Sequence, residues 1–210
     1  MAEDNITDLV MDMMSSDYND VSQYSGQTPN DITKNFIKII LDYLKDNTNA
    51  IVTYAGTITE TGSPDPVIAD TIKVKTTNNI TTYLPSQHTP PKEGDDIHYN
   101  EWMSHIMTNI YNNVYISKGM YLDEPPILTN FFHQSLPGKK VPKSVVKLAY
   151  DDDCEDGRLK DGVDIARDCQ KALIGGIIDI LMSSIGVNYF TQNIAGTSTG
   201  NSTITTINII

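Results

Sequence analysis

"ITKNFIKIILDYLKDNTNAIVTYAGTIT", residues 32–59, changes its period in the middle, and that change decides the fold class. Up to Leu44 the apolar residues recur at helical spacing: Phe36, Ile37, Ile40, Leu41 and Leu44 make one broad face. From Ala50 the pattern becomes short, β-branched and roughly alternating, as a strand requires. "TPND" just upstream offers Thr28 as N-cap, Pro29 at the first helical position and Asp31 at the third, a capping-box start. A helix over 29–47 running straight into a strand predicts helices packed on a sheet.

Further strands are expected in "DPVIADTIKVKT" (65–76) and "ITTYL" (80–84), separated by the turn formers "TGSPDP" and "TNN". "IHYNEWMSHIMTNIYNNVYISKG" predicts a second helix over about 97–116, with Trp102, Ile106, Met107, Ile110 and Val114 inward. A third, "DGVDIARDCQKALIGGIIDILMSSIG", is capped by Asp161, ends near Gly186 and is apolar enough in its second half for burial on more than one side. Ala172 and Gly176, four apart, allow close approach of another element. The expected fold is α+β: a small antiparallel sheet packed against about three helices, with extended N- and C-terminal arms. The expected division is an acidic arm at 1–28, a single domain at 29–195 and a C-terminal strand or arm at 196–210.

The arm contains its own short helix pattern, "EDNITDLVMDMMSS" (3–16), with Ile6, Leu9, Val10, Met13 and Met14 on one stripe and Asn5 or Thr7 as cap. Such a helix docks on its own domain or on a neighbour, and its Met-rich face suits an adaptable contact. On the arm reading, removal of 1–28 leaves the domain folded and impairs assembly. At the other end, the apolar alternation of Ile204, Ile207 and Ile209 needs a sheet edge, its own or a neighbouring subunit's.

A net charge of −12 opposes contact with nucleic acid and anionic lipid, and no 18-residue apolar run is present. Two cysteines, Cys154 and Cys169, do not make a secreted disulfide scaffold, and the acidic N-terminus is unlike a signal peptide, so assembly in a cytoplasm is expected. The most reactive-looking stretch is "LAYDDDCEDGRLKDG" (148–162). A calcium loop needs oxygen ligands at positions 1, 3 and 5, glycine at 6 and glutamate at 12. With Gly157 at position 6, Cys154 falls at 3 and Val163 at 12; starting at Asp151 puts Asp156 at 6 and Gly162 at 12. Both registers fail, which leaves a solvated acidic turn before the last helix. His98 and His105 are seven apart, too far to share one ion, and no nucleophile elbow or phosphate-binding loop occurs. No catalytic, cofactor-binding or metal-ligating residue is therefore assigned, and no cofactor is expected.

"MDMMSSDYNDVSQYSGQT" (11–28), the Pro-rich "YLDEPPILTNFFHQSLPGKKVPK" (121–143) and "GTSTGNSTITTINII" (196–210) look made for contact with other subunits. In this character the chain resembles virion structural proteins of tailed bacteriophages. The resemblance implies a head, neck, tail or baseplate component, assembled in the host cytoplasm, acting as a homo-oligomer with copies of itself and other virion proteins. The rival expectations are a small metal-dependent enzyme using the acidic cluster 151–156 with His133 as base, and a monomeric binding module.

Overall fold

A computed structural model of the chain describes residues 2–19, 28–60, 63–66, 70–85, 96–118, 127–155, 162–185, 190–194 and 198–209. Among these are α1 (Ala2–Asn19), α2 (Pro29–Asn47), α3 (Ile97–Asn113), α4 (Lys143–Glu155) and α5 (Gly162–Ser183). The strands are β1 (Thr48–Glu60), β2 (Ser63–Pro66), β3 (Asp70–Thr76), β4 (Val114–Lys118), β5 (Ile127–Asn130), β6 (Phe190–Ile194) and β7 (Ser198–Ile209). The class is α+β, as the change of period in residues 32–59 requires.

The capping box of α2 forms with Asp31 as its third-position acid: Thr28 N donates to Asp31 Oδ2 at 2.8 Å, and Asp31 N to Thr28 Oγ1 at 3.4 Å. The bond from Thr28 N, with a second from the Thr28 hydroxyl to Asp31 Oδ2 at 2.8 Å, holds the Asp31 carboxyl below the usual aspartate range. The helix ends at Asn47 and β1 starts at the next residue, where Thr48 is already extended.

All strand pairs are antiparallel, and the sheet runs β5-β4-β3-β1-β7-β6, with β2 on the distal part of β1. The chain's last strand therefore lies beside its first: Thr48 pairs with Ile209 and Thr57 with Thr199, with a register shift at Ile51/Val52. Of the two edges left open by the sequence, β7 takes its own sheet. At about 3.3 Å per residue, the 13 residues of β1 reach roughly 43 Å. Packing of α2 is against β3 and against β1 and β7, while α3 meets β5; β2 and β6 pack on β1 and β7. Among the described residues, the distal sheet β2-β1-β7-β6 thus stands largely beyond the helical layer.

The core lies among the helices. Ile37, Ile40, Leu41 and Leu44 of α2 meet Met103, Ile106, Met107 and Ile110 of α3 and Leu173, Ile174, Ile177 and Leu181 of α5, with Val74 of β3 and Phe131–Phe132 closing it. Trp102 is half-buried, its ring centroid 5.8 Å from that of Phe36 and its indole N–H donating to Thr33 Oγ1 at 3.1 Å.

Ile6 and Val10 of α1 belong to the same core, so the expected arm at 1–28 begins with a helix seated on its own chain, against α2 and α5. The expected stripe is corrected in two places: Leu9 is exposed and Met11 is buried. Neither Asn5 nor Thr7 caps the helix, which already runs from Ala2; the Thr7 hydroxyl instead donates back to Glu3 O at 2.6 Å. Residues 20–27 of the expected linker lie outside the described residues.

Three further expectations are corrected. Residues 80–84 are not a strand of the sheet but part of a segment hydrogen-bonded along α3. The second helix stops at Asn113 because the β-branched "VYISK" becomes β4 and pairs with β3. The Pro-rich segment 121–143, for which the sequence predicts no element, carries β5 and ends on the start of α4 at Lys143, just after Pro142. The C-terminal limit of α5 is Ser183, with Ser184 N donating to Leu181 O; Asp161 and Gly186, its expected cap and stop, lie outside the described residues.

Candidate functional site

The acidic stretch is, in its first half, helical. Asp151, Asp152 and Asp153 sit on the last turns of α4, and residues 156–161 lie outside the described residues. Consecutive helical residues are about 100° apart around the axis, so three in a row do not converge on one ion. Asp151 is paired with Lys147, Asp152 is exposed and Asp153 is buried. The expected solvated turn is thus corrected for 151–155. Among the described residues no group of three or more His, Cys, Asp or Glu is placed to hold a metal ion.

His133 does not join these acids. Its backbone N–H donates to Ser184 O at 2.7 Å, and its Nδ1 lies 2.7 Å from Ser135 Oγ and accepts from Ser135 N at 3.1 Å. α4 and α5 run antiparallel, with Val141 against Gly176 and Val146 O against Cys169 Sγ. His133 is consequently at the C-terminal end of α5 and the acids are towards its N-terminal end, separated by roughly 25 Å at 1.5 Å per residue.

The organised polar structure lies elsewhere, along α3. Asn109 and Asn113 are buried, one turn apart, and their amides bind the segment 77–81. Asn113 Oδ1 accepts from Asn79 N at 2.9 Å and from Thr77 Oγ1 at 2.7 Å; Asn109 Oδ1 accepts from Thr81 N at 2.9 Å. Their Nδ2 groups donate back to the helix, Asn113 to Asn109 O and Asn109 to His105 O, each at 2.8 Å. The two side chains do for this segment what a neighbouring strand would do in a sheet. Nothing in the pattern "HIMTNIYNN" separates such residues from helix surface; only their spacing of four could have signalled a shared face.

His105 continues the ladder by one turn. Thr81 N fixes the Asn109 amide orientation, so the Nδ2 group 3.1 Å from His105 Nε2 is a donor and that ring nitrogen accepts. The imidazole is accordingly neutral. Burial pushes its pKa below the usual 6.5, against a smaller opposing effect of a hydrogen bond with the Thr81 backbone. The Tyr83 ring packs on it at 5.2 Å, and burial together with Glu101 raises the Tyr83 phenol pKa.

A depressed histidine pKa makes stability depend on pH in a known direction. The unfolded chain binds this proton more readily than the folded one, so stability is full above the ordinary value of 6.5 and falls as pH drops through it. The urea midpoint is expected to decrease between pH 7.5 and pH 5.5 (about a unit either side of that value). His105→Gln is expected to flatten the dependence over that interval. An equally steep profile in the variant would assign the effect to other groups.

One surface groove borders this region and a second adjoins the first at Lys140. The first, of about 580 Å³, is lined by Tyr83, Leu84, Ile97, Glu101, Ser104 and His105. The other, of about 620 Å³, runs between the start of α4 and the outer face of α5. Lys140 lines both and so stands on the ridge between them. Val141 closes the floor of the second groove: an atom added as Cβ at Gly176 would lie 2.7 Å from Val141 Cγ1. The close approach expected from Ala172 and Gly176 is thus made by a side chain of the preceding loop. The start of α1 forms one wall, where Asp4 pairs with Lys171 at 2.6 Å and Asp8 with Arg167. Each partner favours the other's charged form, lowering the Asp4 pKa and raising that of Lys171.

No family model, no curated protein and no solved structure matches the chain.

Proposed function

We propose that the chain is a non-enzymatic structural subunit of a tailed-phage virion, a head, neck, tail or baseplate component that assembles through its sheet and terminal segments. The observation that carries this reading is the distal sheet β2-β1-β7-β6. An antiparallel sheet needs cover on at least one face, and among the described residues this part stands largely beyond the helices that cover the rest. Its outer strands β2 and β6 also present main-chain donors and acceptors at the sheet margin, where another copy can add a strand. The acidic charge of −12 fits protein partners, other copies of the chain and other virion proteins, and opposes nucleic acid.

The test is the mass of the full chain in solution by light scattering after size exclusion. The expected result is a closed homo-oligomer. A single 23.3 kDa species at the highest soluble concentration would overturn the proposal.

A further inference from the structure

The segment 77–84 is fastened to α3 in two halves. Asn113 holds the first, accepting from Thr77 Oγ1 and Asn79 N. The second rests on Asn109, on His105 and on one long bond from the Tyr83 hydroxyl to His98 O at 3.5 Å. Asn109 Oδ1 accepts from Thr81 N at 2.9 Å and from the Thr81 hydroxyl at 3.2 Å. The Tyr83 ring lies against the imidazole of His105, its centroid 5.2 Å away.

The Asn109 amide is held in one orientation from both ends, by Thr81 N, a donor, and by His105 O, an acceptor. Its Nδ2 therefore points a hydrogen at His105 Nε2, 3.1 Å away, which must offer a lone pair. The other ring nitrogen carries the hydrogen of the neutral form, so an added proton goes to Nε2 and sets two N–H groups face to face. Turning the amide over relieves that contact only by placing Nδ2 against the Thr81 N–H. Swinging the ring into the adjoining groove relieves it only by breaking the contact with Tyr83. Either escape removes an attachment of the second half and leaves the bonds of Asn113 in place.

We infer that His105 is a proton-sensitive latch: the neutral ring keeps residues 81–84 on α3, and the imidazolium releases them. Thr82, Tyr83 and Leu84 line the groove of about 580 Å³, so their release opens it. Among the described residues, the titratable groups about the ring come from three elements. Tyr83 belongs to the segment, Glu101 stands one turn back on α3 with His98 4.0 Å from it, and Lys140 follows the 3₁₀ turn Leu136–Gly138. Glu101 favours the imidazolium and Lys140 opposes it. Burial disfavours the imidazolium in the closed state, against the smaller effect of a bond with the Thr81 backbone. A released ring returns to the ordinary value of 6.5, so the latch is fully closed above that pH and loosens as pH falls through it. The opening constant then rises by at most about tenfold between about pH 7.5 and about pH 5.5, the limit for a ring that takes its proton only when released.

Hydrogen exchange of the Thr81 N–H in the full chain, followed by NMR and divided by the rate of an unstructured peptide at the same pH, reads the latch. Its protection is expected to fall several-fold between those two pH values, in step with the titration of the His105 ring protons. The opening is local, so about 1 M urea is expected to leave that protection unchanged while lowering that of the Ile110 N–H in the core of the same helix. In His105→Gln, whose amide oxygen accepts from Asn109 Nδ2 at either pH, the fall is expected to vanish. Thr81 protection that is equal at the two pH values, that falls as much in the variant, or that follows urea as Ile110 does overturns the latch. The ring titration and the urea comparison need only the parent chain, so they decide the matter whether or not the variant folds.

Discussion

A chain lacking residues 1–28 is expected to lose its cooperative thermal transition. Sequence alone made this segment an arm whose removal the domain survives; the position of Ile6, Val10 and Met11 reverses that expectation. The first two are 1% exposed and packed in the core with α2 and α5, and the third is buried at 8%. Burial of each such side chain is worth about 1.5–3 kcal/mol, so three amount to roughly 6 kcal/mol. That is comparable with the whole stability of a typical domain, about 5–15 kcal/mol. The ion pairs of Asp4 and Asp8 are exposed and add little to this. Circular dichroism melting of the truncated and full chains decides the matter. A truncated chain that melts cooperatively within a few degrees of the full one would show that α1 is dispensable to the core.

The elements that were legible share one property: the information they need is local. α2 carries its start in "TPND" and its buried face in five apolar residues, and both were readable. The helical pattern of 3–16 was equally readable, but whether its face meets its own chain or another depends on the surface left open by α5, a non-local fact. The exchange of Leu9 for Met11 on the buried side has the same origin. Residues 80–84 show a different failure. "ITTYL" has strand composition, but its neighbour is a helix whose asparagine side chains replace a strand's backbone groups. Propensity cannot distinguish those two partners.

The candidate site was less legible than the fold. The eye goes to charge density at 151–156, yet consecutive helical acids diverge, and Asp151 is taken up by Lys147. The groove is assembled from Glu3, from the loop at 140–142, and from residues 168–180, three stretches that no sequence window joins. One signal was present: Gly175 and Gly176 inside a long helix, each costing about 1 kcal/mol relative to alanine, require a compensating contact. Val141 supplies it at Gly176.

Replacing Asn113 with alanine is expected to destabilise the chain by about 3 kcal/mol, although the residue is polar and sits on a helix. Its side chain is 0% exposed, and its Oδ1 is the acceptor for both Asn79 N–H and the Thr77 hydroxyl. Truncation hands those donors, on the exposed Asn79 and the half-buried Thr77, to water, and each hydrogen bond lost is worth about 1 kcal/mol. The bonds from Nδ2 to Asn109 O at 2.8 Å and to Asn79 O at 3.4 Å go as well. Asn112, next in the chain and exposed, is the internal control, expected to change stability by no more than about 0.5 kcal/mol. Urea unfolding followed by the fluorescence of Trp102, the chain's one tryptophan, measures both variants on the same helix. Equal midpoints for the two would mean that segment 77–81 is held by something other than the asparagine ladder. A lower midpoint for the Asn113 variant alone would establish that two amides, four residues apart, take the place of a strand in this fold.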